Sequence, residues 1–352
     1  MSFNNNLASK SLDAVSRGRA NNLNAIRLLA AILVIASHSF ALRFGTRGFD
    51  YEPLLVFTRG MLSMGGLAVG FFFLYGGFLI ARSAEAHPAA KDYFKRRIAR
   101  IFPELIAVVL LCAFVLGPIL SRLSAADYFL SSQTYLYLFN ALLIPVHNLP
   151  GVFENNVYQY VVNGSLWTLP VEFACYALVL LSFKITNFEC KRFSWLFLLF
   201  SVALAAYICA IYPTCATVMR PVFLYFIGMA CYVYCDSIKI SGVHAGIALL
   251  LFLVLCPVGL VDLAMLTCFP VFALWLAFYA RRTERMQMLS KFDFSYGLYL
   301  WGWPIGQTLV ELLPGINVIL LVVSTTLIAT LAALGTMRVV SFIQRAFGQS
   351  GR

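Results

Sequence analysis

Long hydrophobic runs, separated by short polar segments, make up almost the whole chain. Each run holds roughly 20 residues, which is enough for a helix to cross a hydrocarbon core of about 30 Å. The runs are continuous and do not alternate polar with apolar positions, so they predict membrane-spanning helices rather than barrel strands. We place ten spans, at residues 24–42, 60–82, 101–120, 166–183, 194–212, 218–235, 243–261, 262–280, 294–313 and 316–337.

Two boundaries between spans carry further local signals. The seventh and eighth spans share one apolar stretch that is interrupted mainly by Pro257, Gly259 and Asp262, which predicts a tight hairpin turn. The third span is preceded by the basic stretch HPAAKDYFKRRIARIFP, whose apolar residues recur at helical spacing. We expect an interfacial helix there that leads into the span.

The composition supports lipid surroundings for most of the chain. Of the 352 residues, 61% are hydrophobic and only 12% are charged, whereas a soluble domain carries about 25% charged residues. We therefore predict an all-α, polytopic transmembrane bundle of about ten spans without a separate soluble domain. Residues 1–22 are expected to form a loosely ordered, polar cytoplasmic tail, residues 23–340 the transmembrane domain and residues 341–352 a short cytoplasmic tail.

Positive charge is distributed unequally between the two sides of the predicted bundle. Cytoplasmic loops retain Lys and Arg, and a cytoplasmic N-terminus places most of the 26 such residues on that side. This asymmetry predicts an even number of spans and two cytoplasmic termini. Anionic lipid and orientation account for the formal charge of +11, so we do not predict a nucleic-acid partner. The outer segments hold Arg43, Arg47, Arg59, Arg122 and Arg220.

Two other features have an ordinary structural interpretation beside a functional one. The outer segment 121–165 is rich in aromatic residues and Asn, which suits either a ring-shaped polar ligand or an aromatic belt at the membrane surface. The nine cysteines lie mostly within spans and lack neighbouring histidines. We interpret the cysteines as packing residues and predict no metal site.

Ionisable residues at membrane depth are costly and therefore point to function. Only His38 and Glu172 lie well inside the predicted spans. Arg27 precedes His38 by eleven residues, which is three helical turns plus about 20°, or a rise of about 16 Å. Arg27 and His38 therefore share one helix face, with Arg27 at the cytoplasmic boundary.

The depths of His38 and Glu172 below the outer edge are similar, so the two side chains could meet. A carboxylate beside a histidine fixes the imidazole tautomer and makes the ring a general base. The alternative is a polar bridge between two helices without chemistry, since a buried carboxylate needs a partner in either case. Depth alone leaves both interpretations open.

Arg97 and Arg100, with the neighbouring Arg96, lie at a predicted cytoplasmic boundary. Their spacing of three residues lets two guanidinium groups face one anion, such as the phosphate of a substrate. The retention of positive charge on the cytoplasmic side would place arginines there as well. The spacing therefore does not separate a phosphate site from a topological signal.

Five motifs, in order along the chain, resemble the bacterial acyltransferase type 3 family of membrane-bound O-acyltransferases. The first helix carries NAIRLLAAILVIASH, with an Arg and a His separated by ten residues, and FFLYGGFLI is similar to the family's FF..SGF. RRIARIFP resembles its R..R..P entry to the third helix. GSLWTLPVEFACY and DFSYGLYLWGWP resemble W(S/T)L..E...Y and SY..YL..WP.

The resemblance implies ten core helices in a bacterial cytoplasmic membrane, a cytoplasmic acyl-CoA donor and an acceptor hydroxyl on a glycan or lipid-linked saccharide. It implies that Arg27 and His38 form the essential pair, that Arg97 and Arg100 contact the donor, and that Glu172 is the family's acid. Acetyl-CoA would be a co-substrate, with no bound cofactor. The expected acceptor or pocket lining consists of Trp167, Tyr176, Tyr296, Tyr299, Trp301 and Gln307.

The resulting prediction is an acetyl-CoA-dependent O-acetyltransferase that modifies a surface or exported polysaccharide. Arg97 and Arg100, helped by Arg27, would bind the donor phosphates. His38, oriented by Glu172, would deprotonate the acceptor hydroxyl or relay the acetyl group covalently. The rival hypotheses are a proton-coupled exporter that uses His38 and Glu172 as its relay, and a structural subunit of a polysaccharide assembly complex. The sequence departs from the family's motifs at Gly76, where a Ser is usual, and at Gly302, where a His is common.

Overall fold

The computed structural model describes residues 10–18, 21–210, 216–290 and 294–346, and these residues form helices and turns without any strand. Ten long helices correspond one to one with the ten predicted spans, so the all-α expectation is confirmed. The helices are α1 (Leu23–Phe44), α2 (Met64–Ala86), α3 (Ala90–Leu120), α4 (Thr168–Thr186), α5 (Cys190–Ala210), α6 (Ala216–Val233), α7 (Gly242–Leu255), α8 (Val261–Tyr279), α9 (Ser295–Leu312) and α10 (Val318–Ala346).

Six of these helices are long and apolar enough to cross a membrane: α1, α2, α3, α4, α8 and α10. Helix α7 and most of α6 are apolar but shorter. The predicted hairpin between α7 and α8 is present, with a turn at which Gly259 has a φ of +88°. The chain is a multi-pass membrane protein.

Helix α3 differs from the prediction at its N-terminal end. The expected interfacial helix is not a separate element, because one continuous helix begins at Ala90 and passes through Pro103. A π-helical turn at Cys112–Leu116 precedes its last turn. Arg97 and Arg100 are therefore held on the same rigid helix that packs in the bundle.

Helices α2 and α6 cross with their backbones in direct contact. A methyl group at Gly77 would overlap the carbonyl oxygen of Tyr225, and one at Gly228 would overlap the carbonyl oxygen of Leu74. Small residues permit this close approach between membrane helices. Helix α2 also packs on α1 and α4, so it forms one wall of the interior.

Helix α9 packs on α1 through two glycines. A methyl group at Gly302 would lie 2.7 Å from Ile35 Cγ1, and one at Gly306 would lie 2.7 Å from Leu42 Cδ1. The absence of a side chain at Gly302 thus allows α9 to approach α1 closely. This approach brings the ring of Trp303, which follows Gly302, against His38 on α1.

The N-terminal segment is more ordered than its composition indicates. Leu12–Ser16 form a short helix, and the Leu12 side chain is fully buried. The Leu12 amide donates to the carbonyl of Ile238 at 2.7 Å, and Arg82 donates to the carbonyl of Ser16 at 3.0 Å. Residues 10–18 are thus packed against the bundle, contrary to the loosely ordered tail that we expected. Residues 1–9, 19–20 and 347–352 of the predicted tails lie outside the described residues.

Candidate active site

Two cavities lie inside the bundle and share part of their lining. The first, the arginine cavity, has a volume of about 120 Å³, and the second, the histidine cavity, has a volume of about 330 Å³. The arginine cavity is lined by residues that include Arg27, Arg97, Arg100, Glu172, Tyr176 and Tyr296. The histidine cavity is lined by residues that include His38, Glu52, Trp167 and Arg220. Val69, Thr168 and Tyr299 line both.

The arginine cavity gathers three guanidinium groups from two helices. Arg97 and Arg100 lie one turn apart on α3, and Arg27 comes from the N-terminal part of α1. Arg97 donates from Nη2 to Ser83 Oγ at 3.3 Å, and its guanidinium carbon lies 6.0 Å from the centroid of the Tyr176 ring. Arg97 Nε is buried and has no hydrogen-bond partner among the described residues. Guanidinium donors converging in this way suit an anionic group such as a phosphate.

The structure corrects the predicted contact between Glu172 and His38. Glu172 lines the arginine cavity, where its Oε1 accepts a 2.5 Å hydrogen bond from the Tyr176 hydroxyl, whereas His38 lines the histidine cavity. Thr168, Glu172 and Tyr176 recur every four residues, so they share one face of α4. Span boundaries predicted the depth of the carboxylate, but the packing of α4 decides which cavity it enters.

The His38 ring is held by an aromatic residue rather than by a carboxylate. It meets Trp303 edge to face, with the two ring centroids 4.8 Å apart. Trp303 is fixed by the hydrogen bond from its Nε1 to the carbonyl of Val161 at 3.0 Å and by an edge contact with Tyr158. His38 Nδ1 is buried and lacks a hydrogen-bond partner among the described residues. The imidazole therefore carries one ring nitrogen that no described protein group satisfies.

Thr168 and Tyr299 separate the two cavities. Thr168 Oγ1 lies 2.7 Å from the Tyr299 hydroxyl, which donates to the carbonyl of Ser165 at 2.6 Å. Both side chains are buried, and the Tyr299 ring contacts Phe72 at a centroid distance of 6.3 Å. The wall between the arginine and histidine cavities is thus a hydrogen-bonded pair of side chains from α4 and α9.

The predicted acceptor-lining residues divide into three groups. Trp167 and Tyr299 line the histidine cavity, whereas Tyr176, Tyr296 and Tyr299 line the arginine cavity. Trp301 and Gln307 line neither of the two, which corrects their predicted placement. Their contacts are structural: Trp301 Nε1 donates to Thr336 Oγ1 at 3.4 Å.

Gln307 on α9 is hydrogen-bonded to the outer segment. Its side-chain amide donates to the carbonyls of Tyr158 and Val161 at 2.7 and 2.9 Å. Its Oε1 accepts from Asn156 Nδ2 at 2.8 Å. Since the side chain is fully buried and its amide is satisfied, Gln307 supports the loop above the histidine cavity and does not line it.

Sequence reasoning missed three residues near His38: Glu52, Arg220 and Trp303. Glu52 is 1% exposed and accepts from Ser37 Oγ at 3.1 Å and from the Leu55 amide at 2.6 Å. The Glu52 carboxylate also accepts from the Met64 amide. It therefore caps the short helix Pro53–Phe57 and also binds the first residue of α2. The Glu-Pro pair in the sequence predicts a helix start there, but nothing local predicts the burial.

Arg220 and Trp303 had signals of different strength. Arg220 donates from Nε to Asp262 Oδ1 at 2.7 Å and from Nη1 to the carbonyl of Met61 at 3.2 Å. From the sequence we predicted Arg220 only as a positive charge in an outer segment, because its partner Asp262 is 42 residues away. Trp303 belongs to the Trp-Pro end of the ninth-helix motif, so the motif itself could have identified it in place of Trp301.

The fold and the two cavities define a class of protein. It is a multi-pass membrane protein that holds a cluster of arginines and a histidine in two cavities with a shared wall. Within that class the chain belongs to the acyltransferase family whose profile, described as "Acyltransferase domain", matches residues 21–339. The resemblance stated from the motifs is thereby confirmed. The chain is a membrane O-acyltransferase.

Curated relatives carry names of the same kind. The chain is 28% identical over 304 residues to an O-acetyl transferase of Shigella phage Sf6, an alignment that covers 84% of this chain and 87% of the relative. Nodulation protein 10 of Rhizobium leguminosarum bv. viciae is 30% identical over 174 residues, which cover 46% of this chain and 43% of that protein. Acyltransferase MdmB of Streptomyces mycarofaciens is 28% identical over 98 residues, 28% of this chain and 24% of that protein. No solved structure matches the chain significantly.

Proposed function

We propose that the protein transfers an acetyl group from acetyl-CoA on the cytoplasmic side to a hydroxyl of a surface or exported glycan, with His38 as the group that handles the proton or the acetyl. The observation that carries the proposal is the position of His38 in a cavity that shares one wall with the arginine cavity. The name of the Shigella phage relative, an O-acetyl transferase, supports acetyl as the transferred group.

The arginine cavity supplies the donor site in this proposal. Coenzyme A carries several phosphates, and Arg97, Arg100 and Arg27 offer charge-assisted hydrogen bonds to them. The narrow cavity holds the phosphopantetheine end of the donor rather than the whole coenzyme. The thioester then points toward the wall at Thr168 and Tyr299. Glu172 is a residue of this donor cavity and not the partner of His38.

His38 acts in the histidine cavity by one of two balanced routes. In direct transfer, His38 accepts the proton of the acceptor hydroxyl while the hydroxyl oxygen attacks the thioester carbon. The C–S bond then breaks, and the proton passes from His38 to the departing thiolate of CoA. In relay, the imidazole nitrogen attacks the thioester carbon, the C–S bond breaks, and the CoA thiolate leaves with the imidazole proton. The acceptor hydroxyl then attacks the acyl-imidazole, the C–N bond breaks, and the hydroxyl proton returns to the imidazole. Trp167, which lines the histidine cavity, would face the acceptor sugar.

The exporter hypothesis receives no support from the geometry. A proton relay through His38 and Glu172 needs the two groups within hydrogen-bond reach or joined by water. They line separate cavities on either side of the wall at Thr168 and Tyr299. The membership of the chain in an acyltransferase family favours the enzyme over both rival hypotheses.

The test is the acetyl content of the native host's surface glycan in strains that carry His38→Ala. We expect loss of the glycan acetyl esters, measured by mass spectrometry, while the protein remains at the wild-type level by immunoblot. His147→Ala is the matched control, because His147 is an exposed residue of the outer segment and should leave acetylation unchanged. Normal acetylation in the His38→Ala strain would contradict the proposal.

A further inference from the structure

The wall between the two cavities lies where the transferred group has to pass. On one side are the arginines proposed to bind the donor phosphates, and on the other is His38. Among the residues that line the two cavities, only Val69, Thr168 and Tyr299 line both. If the donor binds as proposed, its acyl group meets these three side chains before it reaches His38.

The contact between Thr168 and Tyr299 leaves no room for a further atom between their oxygens. The two oxygens are 2.7 Å apart, and the Tyr299 hydroxyl is also tied to the carbonyl of Ser165 at 2.6 Å. Phe72 packs on the Tyr299 ring from the side of the arginine cavity. Thr168 is in the first turn of α4 and Tyr299 is in the second turn of α9, so both helices support the contact.

Close-packed interiors respond to the addition of a single methylene group. A longer acyl chain would have to part the Thr168 and Tyr299 side chains further than an acetyl group does. The buried hydrogen bonds between these side chains would then stay broken while the whole chain passes. Pockets that recognise apolar groups by size discriminate one methylene by roughly 10- to 200-fold. The wall therefore has the construction of a size filter for the acyl group.

We propose that Thr168 and Tyr299 set the acyl-chain specificity of the enzyme by admitting an acetyl group to the histidine cavity and excluding longer acyl groups. This inference rests on the proposed function, since it assumes that an acyl-CoA donor occupies the arginine cavity. The reaction itself is unchanged by the filter. The thioester C–S bond breaks, the ester C–O bond forms, and the hydroxyl proton goes to the CoA thiol by way of His38.

The experiment uses inverted membrane vesicles of the native host, which expose the cytoplasmic face and retain the host's own acceptor glycan. The vesicles contain the full-length wild-type protein or a variant in place of the chromosomal copy. Acetyl-, propionyl- and butyryl-CoA are the probes, and mass spectrometry of the glycan fraction measures each acyl ester. We expect the wild type to transfer propionyl at least about tenfold more slowly than acetyl, and butyryl more slowly still.

Thr168→Ala removes a hydroxyl and a methyl group from the wall, so we expect the ratio of propionyl to acetyl transfer to rise at least about fivefold. Tyr299→Phe retains the ring and removes the hydrogen bonds, and we expect a smaller rise in the same ratio. Thr325→Ala is the matched control, because Thr325 is also a buried threonine, on α10, and lines neither cavity. Its ratio should equal that of the wild type.

An unchanged ratio in Thr168→Ala, with the variant present at the wild-type level, would overturn the inference, as would a wild type that transfers butyryl as fast as acetyl. If Thr168→Ala does not accumulate, Thr168→Ser and Tyr299→Phe decide by the same criterion. Absence of transfer from every acyl-CoA in the wild type would instead refute the proposed function. The two failures are therefore distinguishable.

Discussion

Single residues in this protein owe their chemical character to where helices meet. Arg97 is half-buried among aromatic rings, while the adjacent Arg96 is exposed on the other side of the same helix. His38 has an aromatic neighbour and an unpartnered buried nitrogen. Glu52 shows the opposite case, because its buried carboxylate is satisfied by two backbone amides and a hydroxyl and so stabilises helix starts.

The neighbouring arginines allow a sharp test of the donor site. Arg97→Gln should raise the KM for acetyl-CoA about tenfold or more, because hydrogen bonds to charged groups contribute about 1.5–3 kcal/mol each and 1.4 kcal/mol is tenfold in affinity. Arg96→Gln removes the same charge from an exposed position and should change KM less than about twofold. Initial-rate kinetics in inverted vesicles measure both. Equal effects of the two substitutions would indicate general electrostatic attraction instead of a specific site.

Among the helices, glycines decide which surfaces can touch. The α2–α6 crossing depends on Gly77 and Gly228, and the approach of α9 to α1 depends on Gly302 and Gly306. The motif departure at Gly302 thereby acquires a packing explanation. At Gly76, a methyl group would lie 2.9 Å from Tyr225 Cε2, so the position that is usually Ser in the family is restricted here by the Tyr225 ring.

The helix crossing predicts a stability difference between two glycine substitutions. Gly77→Ala places a methyl group on a backbone carbonyl and should cost about 1–3 kcal/mol or more, which lowers the Tm of the detergent-purified protein by several degrees. Gly246→Ala is the control, because the added methyl on α7 meets no atom within 4 Å beyond its own stretch of helix and Ala favours helix. Its Tm should be equal or slightly higher. A Gly77→Ala protein with wild-type Tm would show that the crossing is looser than described.

At the scale of the whole molecule, two cavities lie in series along α1. Arg27 precedes His38 by about 16 Å of helix rise, so the proposed donor and acceptor sites lie at different depths along α1. The packed segment at residues 10–18 lies at the Arg27 end of α1, because Leu12 belongs to the same hydrophobic cluster as Leu23 and Ile26, and its amide donates to the carbonyl of Ile238 between α6 and α7. A direction of transfer from cytoplasm to exterior follows only if that end is cytoplasmic.

Orientation can be measured with reporter fusions. We expect alkaline phosphatase fused after Pro145, in the outer segment, to be active, because this enzyme folds only outside the cytoplasm. A fluorescent protein fused after Arg352 should fluoresce, as expected for a cytoplasmic C-terminus by the distribution of Lys and Arg. The converse fusions at each site serve as controls. The reverse pattern would invert the proposed donor and acceptor sides.

The sequence alone predicted the all-α bundle, the number and order of the long helices, the α7–α8 turn and the family, because hydrophobic length and short motifs are local properties of the chain. It also brought Arg27, Arg97 and Arg100 to one end through their positions along their helices. Only the tertiary structure separated Glu172 from His38 and removed Gln307 from the cavity lining. Depth along a helix can be counted from residues, but the rotation of a helix about its axis depends on the packing of neighbours distant in sequence.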